Sequence, residues 1–339
     1  MSQQTLDPTG ARGGEATTSP PRAGRTDGSR PSAPRPWRER RAAWDARLAP
    51  YLYISPFFLV FAVVGAFPLA YTAYVSVHDW SLLGGKGDFV GLQNYRDVWA
   101  NPYFAKQTVN TLSIFVLSSV PQVIAAVVLA GLLDNQLRGR TWWRMSILLP
   151  YVVSPVAVAI IFGSLFGDKY GLINEALGAF GIDGIGWHSN RWASHLAIAT
   201  MVNWRWTGFN ALIFLAAMQA VPRDLYDSAA LDSAGRVRQF LSVTLPMIRP
   251  TMIFVVITST IGGLQIFAEP RLFDETNARN GGPDRQFGTI TMLIYDFGWQ
   301  LRDLGRASAT AWMLFLLILV LAVVNLMLVR RIGGLGGER

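Results

Sequence analysis

Six long apolar blocks constrain this chain more than any other feature of its sequence. Each is roughly 20 residues or longer, which is enough for one helix to cross the hydrocarbon core of a bilayer. Helices satisfy their own backbone there, and the blocks lack the alternation that barrel strands require. The sequence therefore predicts an all-α integral membrane protein with six transmembrane helices, at residues 52–77, 109–133, 145–167, 194–220, 251–270 and 308–329.

The segment before the first block has a different composition. Residues 1–49 are rich in Pro, Gly, Ser, Thr and Arg and poor in large apolar side chains, so they cannot offset the entropy of ordering. We expect a disordered tail there, and no cleavable signal peptide, because no apolar stretch follows Met1 closely. The transmembrane domain is then residues 50–332, with the polar loop 221–250 inside it.

The distribution of charge predicts the orientation in the membrane. The formal net charge is +8, but the arginines cluster beside the apolar blocks, which is typical of membrane orientation and not of nucleic-acid binding. With a cytoplasmic N-terminus, nearly two thirds of the 30 basic residues fall in cytoplasmic segments. The positive-inside rule therefore predicts that both termini are cytoplasmic.

Several kinds of chemistry are not expected of this chain. It contains no cysteine, and its three histidines lack metal-ligand spacing, so we expect neither a thiolate centre nor a metal site. No phosphate-binding loop is present, because residues 84–87 (Gly-Gly-Lys-Gly) lack the required spacing and hydroxyl residue. We also find no acid–base cluster near one interface. The sequence thus predicts no bound cofactor and no enzymatic activity.

The loop 221–250 is the most informative segment. Pro222 suits the first turn of a helix, and Gly235 is expected to end that helix in the left-handed conformation. A second helix is predicted to run from Arg236 to Leu245 and to stop at Pro246. One face of it would carry Val237, Phe240, Leu241 and Thr244. An ordinary connecting loop is the simpler interpretation, but this segment is long for a mere connection.

This loop resembles the EAA loop of importer-type ABC transporter permeases. Two departures from the family pattern are that Asp227 replaces the usual Glu and Ser233 the usual Gly. The resemblance implies docking of a cytoplasmic ATPase by the residues at the motif positions, which are Asp227, Ser228, Ala229, Asp232, Ser233, Ala234, Leu245 and Pro246.

The resemblance continues over most of the chain after residue 50 and is greatest to the carbohydrate-type permeases, such as those for maltose and glycerol phosphate. The matching stretches are residues 67–69, 79–80, 89–95, 110–111, 138–139, 149–150, 170–174, 204–209 and 281–283. It implies a sugar importer subunit in a bacterial cell membrane that works by alternating access. Its partners would be a second related permease, two copies of an ATPase and an extracytoplasmic solute-binding protein. The alternatives are an ABC permease for another solute, such as glycerol phosphate, and a secondary transporter.

Polar residues within the apolar blocks are candidates for the solute site, because they are costly in lipid and often functional. Indole rings stack on sugars, while amides and charges bond hydroxyl groups. An aromatic belt at the interface and a structural Arg205–Glu269 ion pair are the other interpretations. The candidates are Asn203, Trp204, Arg205, Trp206 and Asn210 in the fourth block, and Gln265 and Glu269 in the fifth.

Overall fold

The computed structural model describes residues 37–134, 139–274 and 280–334. Contacts divide the chain into two units, Met1–Val63 and Val64–Arg339. The first unit contains α1 (Trp37–Phe61), and a π-helical segment, Ala62–Ala66, follows α1 in the chain. The sequence-based tail of residues 1–49 overlaps this helix at residues 37–49, where Ala and Arg are good helix formers. Its other part, residues 1–36, lies outside the described residues.

The second unit is helical apart from one short hairpin, within the described ranges. The hairpin pairs β1 (His78–Ser81) with β2 (Gly85–Phe89) in antiparallel register. The helices, in chain order, are α2 (Phe67–Ser76), α3 (Gln93–Ala100), α4 (Pro102–Asp134), α5 (Arg140–Val152), α6 (Pro155–Leu165), α7 (Leu172–Ala179), α8 (Arg191–Gln219), α9 (Arg223–Leu231), α10 (Arg236–Gln239), α11 (Leu245–Met247), α12 (Arg249–Leu264), α13 (Ala268–Leu272), α14 (Ile290–Tyr295) and α15 (Leu304–Gly334).

Four segments are long and apolar enough to cross a membrane by length and composition, among the described residues. They are Leu48–Ser76, Pro102–Asp134, Arg249–Leu272 and Leu304–Met327. A fifth span results if α5 and α6, which meet at an 89° bend, are counted together. The 29-residue helix α8 is long enough but is not in this set. Its polar residues lower its hydropathy, so the sixth span stays a prediction.

Two predicted spans are interrupted, which corrects the sequence-based boundaries. The block 145–167 breaks at Val153 and Ser154, which are both extended because Pro155 disfavours a helical residue before it. The block 251–270 is helical only as far as Leu264, and the chain turns at Gln265–Phe267 before α13 begins.

Helices α4 and α8 form the centre of the second unit and run parallel. Their N-terminal ends meet where Ser113 Oγ lies 3.0 Å from His195 Nδ1. Their C-terminal ends share a buried cluster that includes Ala130 and Met218. Because the two helices pack along most of their length, they form the wall against which α5, α6 and α12 are placed.

The segment 281–290 is held between the N-terminal ends of α4 and α8. Asn110 Nδ2 donates to the carbonyl oxygens of Arg285 at 3.0 Å and Gly288 at 3.1 Å. Gly281 and Gly282 both have positive φ, and a Cβ on Gly281 would lie 2.4 Å from the backbone of Gly288. The glycines are therefore required for this turn.

The loop 221–250 forms a helical pair as predicted, but its turn and its end differ from the prediction. Gly235 has a φ of −66°, and the left-handed residue is Ser233, with a φ of 56°. Pro246 does not stop the second helix, which continues through a π-helical segment, Phe240–Thr244, to Met247. Pro246 directly follows the π-helical segment, in the last turn of this continuous helix.

We predict that Ser233→Gly stabilises the chain. A non-glycine residue in the left-handed region costs roughly 1 kcal/mol, and glycine removes that cost. Thermal unfolding of the purified chain in mild detergent should show a melting temperature raised by a few degrees. Gly235→Ala is the matched control, because its φ is negative and no described atom lies within 4 Å of an added Cβ. An unchanged melting temperature for Ser233→Gly would contradict the strained turn.

Candidate functional site

A cavity of about 260 Å³ lies between α4, α8 and α12. Gly262 and Gly263 of α12 face it, and a Cβ on Gly263 would lie 2.9 Å from Phe115 and Ser119 of α4. Glycine at this position therefore brings α12 close to α4. The remaining residues that line the cavity are Ser119, Gln122, Val202, Trp206, Phe209, Asn210, Ile213, Phe254, Thr258, Ser259 and Ile266.

The polar part of the lining consists of amide and hydroxyl groups. Asn210 Nδ2 donates to Ser259 Oγ at 3.2 Å, which links α8 to α12. Thr258 Oγ1 donates to its own helix, at the carbonyl of Phe254. Gln122 and Ser119 come from α4 and are both buried. Amides and hydroxyls both donate and accept hydrogen bonds, so this wall suits a ligand rich in hydroxyl groups.

Three aromatic rings form the apolar wall. Tyr151 of α5 stacks on Phe209 with a centroid distance of 4.4 Å and an interplanar angle of 13°. Trp206 lies edge-on to both, at 5.3 Å from Tyr151 and 6.0 Å from Phe209. Trp206 and Phe209 line the cavity itself. Large rings fixed by each other offer a preformed apolar face for a ligand.

The structure brings only two of the seven predicted solute-site residues to this cavity, Trp206 and Asn210. Trp204 is exposed and packs on Phe162 at 5.5 Å, on a different face of α8. Asn203 is half-buried, and Gln265 is exposed at the break after α12.

Arg205 and Glu269 form a buried ion pair instead of lining the cavity. Arg205 Nη1 donates to Glu269 Oε1 at 2.7 Å, and the two side chains are 10% and 6% exposed. The pair joins α8 to α13 behind the aromatic wall. This arrangement is the structural ion pair that the sequence had left as an alternative.

Sequence reasoning missed Ser119, Gln122, Thr258 and Ser259. All four are polar residues within apolar blocks, which is the same signal that identified Asn203 and Asn210. Ser119 and Gln122 are three residues apart and so share one face of a helix. The sequence shows this spacing, but it does not show which helices pack against that face.

Helix α13 is also bound by charge on its other side. Arg271 Nη1 lies 3.7 Å from Asp296 Oδ1, and Arg285 Nη1 lies 3.1 Å from Asp296 Oδ2. Burial raises the pKa of the Asp296 carboxyl, while Arg285 and Arg271 oppose that rise. Because α13 is anchored from both sides, Glu269 has a fixed position.

A second candidate surface is formed by Val221–Pro250, which we call the coupling segment. Its helix α9 carries Asp227, Ser228 and Ala229, and no residue of α9 is buried. Three apolar side chains of the segment are strongly exposed: Leu231 at 88%, Val237 at 74% and Leu241 at 58%. The turn contains Asp232, Ser233 and Ala234, and Leu245 and Pro246 lie in the last turn of the second helix.

The coupling segment is attached firmly to the helices beside it. Tyr226 Oη and Thr244 Oγ1 are hydrogen-bonded at 2.9 Å, which ties α9 to the helix that follows the turn. Phe240 packs against Gly131 of α4 so closely that an added Cβ would lie 2.9 Å from its ring. A force on this segment would therefore reach α4 and α12 directly.

Comparison with known proteins finds a matching family and similar permease proteins. Residues 104–334 match the family described as binding-protein-dependent transport system inner membrane component. The arabinooligosaccharides transport system permease protein AraP of Halalkalibacterium halodurans is 33% identical over 83% of this chain and 88% of that protein. The lactose transport system permease protein LacF of Rhizobium radiobacter is 32% identical over 81% of this chain and 91% of that protein.

Among solved structures, one chain of a bacterial alginate ABC transporter has the same fold. That structure is a complex with an alginate pentasaccharide-bound periplasmic protein. The TM-score is 0.71 at 20% identity, over 88% of this chain and 99% of that one. The sequence relatives are permease subunits of transport systems and not enzymes. This chain therefore belongs to the binding-protein-dependent transport system inner membrane components, the permease subunits of ABC importers.

Proposed function

We propose that the chain moves a sugar, a di- or oligosaccharide, across a bacterial cell membrane by alternating access, and that the cavity between α4, α8 and α12 is its solute site. The observation that carries this proposal is the lining of the cavity. Amides and hydroxyls from three helices face the indole of Trp206, a combination that suits the hydroxyl groups and the apolar faces of sugar rings. The names of the relatives, which include arabinooligosaccharides and lactose, support the same class of solute.

We propose six spanning helices, with α8 as the sixth, in a transmembrane domain of residues 50–332. Both termini and the coupling segment would then be cytoplasmic. The excess of arginine in those segments supports this orientation. In α8, the ion pair of Arg205 with Glu269 reduces the cost of a charge in the membrane.

The proposed partners are a second related permease, two copies of a cytoplasmic ATPase and an extracytoplasmic solute-binding protein. The alginate transporter is in complex with a periplasmic protein that holds the pentasaccharide, which supports the last of these. The exposed apolar side chains of the coupling segment support an ATPase contact there, at the motif positions Asp227 to Ala234. ATP hydrolysis would occur on the partner chain, and this chain would bind no cofactor.

A phosphorylated solute is the second candidate, because sn-glycerol-3-phosphate permeases are also relatives, at up to 30% identity. A phosphate group would need a cation that faces the site. The described residues that line the cavity include no charged one, so we favour an uncharged sugar over glycerol phosphate.

We predict that Trp206→Ala reduces ATP-dependent sugar uptake about tenfold, because the lost stacking surface is worth about 1.4 kcal/mol. The measurement is uptake of radiolabelled lactose or arabinotriose, whichever is transported by the reconstituted importer, in proteoliposomes. Trp142→Ala is the matched control, since Trp142 is 78% exposed on α5 and does not line the cavity. Equal uptake by Trp206→Ala and the parent importer would exclude this cavity as the sugar site.

A further inference from the structure

The charges around the cavity bear on which kinds of sugar it can accept. Its lining, within the part of the chain that the structure describes, contains amide, hydroxyl, aromatic and aliphatic groups and no acidic or basic residue. Arg205 nevertheless lies directly behind the wall. Its guanidinium carbon is 5.8 Å from the ring centroid of Trp206, and Trp206 lines the cavity. A cation is thus present one side chain away from the site.

Glu269 neutralises that cation. Its carboxylate accepts from Arg205 Nη1 at 2.7 Å, and both groups are almost completely buried. Glu269 reaches this position because α13 follows the break at Gln265–Phe267, whose residue Ile266 lines the cavity. The negative charge therefore lies on an element that is continuous with the wall of the site. Arg205 Nε, in contrast, has no hydrogen-bond partner among the described residues.

We propose that Glu269 is a specificity-determining residue, which keeps the solute site electrically neutral by holding Arg205 in an ion pair, so that the site accepts uncharged sugars and rejects acidic ones. This inference rests on the proposed function of the cavity. A carboxylate or phosphate on a sugar would enter the site without a counter-charge, and desolvation of such an unpaired anion is costly. Neutral hydroxyl groups find hydrogen-bond partners in Gln122, Asn210 and Ser259.

The same geometry predicts how selectivity changes when the pair is broken. Glu269→Gln keeps the size of the side chain and removes its charge. The lone cation then acts on the cavity across the ring of Trp206, where the screening by water is weak. Coulomb attraction over such a distance favours an anion over a cation by about tenfold or more. The matched control is the double variant Arg205→Gln with Glu269→Gln, which removes both charges and keeps the site neutral.

The test uses a chemical probe of charge, so it does not depend on the identity of the sugar. The chain has no natural cysteine, which allows a single thiol to be introduced as Asn210→Cys or Ser259→Cys in the full importer complex in nanodiscs. Each thiol is treated with methanethiosulfonate reagents of similar size that carry a sulfonate or a trimethylammonium group. The mass of this chain reports the reaction rates, which are normalised to those of 2-mercaptoethanol.

With Glu269 present, we expect normalised rates for the two reagents that agree within about threefold. The Glu269→Gln variant should react about tenfold faster with the anionic reagent, and the double variant should return to equal rates. A parent site that already favours either reagent by tenfold overturns the proposal, as does an assembled Glu269→Gln variant with no shift. If Glu269→Gln fails to assemble, Arg205→Gln decides, because its unpaired Glu269 carboxylate should favour the cationic reagent by about tenfold, and equal rates there overturn the proposal.

Failure of the proposed function has a different signature. If neither thiol reacts with either reagent, with or without ATP, the cavity is not reached by solutes, and its role as the transport site is wrong. If the thiols react but favour one charge, the cavity is a solute pathway and only the neutral selectivity is wrong.

Discussion

Replacement of Gly208 by alanine is expected to destabilise the folded chain strongly. Gly208 lies where α8 crosses α5, and a Cβ added there would be 1.8 Å from the carbonyl oxygen of Ile147. The same Cβ would be 2.7 Å from the carbonyl carbon of that residue. Both atoms belong to backbone within a helix, so neither can rotate away. The two helices must separate, which disrupts the packing of α5 on the central α4–α8 pair.

We expect a cost of roughly 3 kcal/mol or more, which is a substantial fraction of the total stability of a typical domain. Size-exclusion chromatography of a fluorescent fusion in mild detergent, followed by thermal unfolding, measures the effect. The melting temperature of Gly208→Ala should fall by roughly 5–10 °C relative to the parent, and its folded peak should be smaller.

Gly262→Ala is the matched control for stability, because it is also a glycine within a long apolar helix. No atom of the described residues lies within 4 Å of its added Cβ, so this variant should have the same melting temperature as the parent. If Gly208→Ala and Gly262→Ala both behaved as the parent chain does, α5 and α8 would not cross at Gly208.

The contrast between these two glycines illustrates what the sequence could and could not predict about the fold. Apolar length predicted where helices such as α4 and α15 would form, and Pro155 was a readable reason for the bend before α6. The end of α12 at Leu264 follows the Gly262–Gly263 pair, a turn signal that does not by itself fix the residue at which a helix ends. Helix contacts depend on the shapes of two helix surfaces together. The sequence of each helix does not show which other helix it will pack against.

The candidate site follows the same division. The signal of polar residues in apolar blocks pointed to Trp206 and Asn210, which line the cavity, because that signal depends only on the cost of polarity in lipid. It could not distinguish polar residues that face a cavity from charged residues that form an ion pair with each other. Arg205 and Glu269 are 64 residues apart, and only the crossing of α8 with α13 makes them a pair.

The left-handed residue in the turn of the coupling segment was also not predictable from the sequence. Gly235 was the natural candidate for a left-handed residue, because glycine has no Cβ. Helix α9 instead ends at Leu231, and Asp232 is its C-cap residue. The left-handed residue is Ser233, two residues before Gly235. Helix ends depend on which carbonyl groups find partners, and here Ser233 and Ala234 donate to the carbonyls of Ala230 and Ala229.

Replacement of Leu231 by aspartate is expected to disconnect the chain from its ATPase. Leu231 is the last residue of α9, and its side chain is 88% exposed, although it is apolar. Single exposed leucines are common, but Val237 and Leu241 of the same segment are also exposed. All three lie in the same segment as Asp227 and Asp232, to which the proposed function assigns ATPase docking, and exposed apolar side chains are typical of such contacts.

A central apolar anchor of an interface typically costs about 2 kcal/mol or more when it is lost, so Leu231→Asp should weaken ATPase retention by about thirtyfold. The readouts are the ATPase that co-purifies with this chain and ATP-dependent uptake in proteoliposomes. The melting temperature of the chain alone should be unchanged, because an exposed side chain contributes little to folding. That combination separates a lost contact from a damaged fold.

Leu83→Asp provides the matched control for this substitution. Leu83 is 74% exposed, and it lies beside the β1–β2 hairpin, which the proposed orientation places on the opposite side of the membrane. It should retain the ATPase as the parent chain does. If Leu231→Asp also retained it in full, the exposed surface of the coupling segment would not be where the motor binds. The force that drives transport would then have to enter the chain through a different cytoplasmic element.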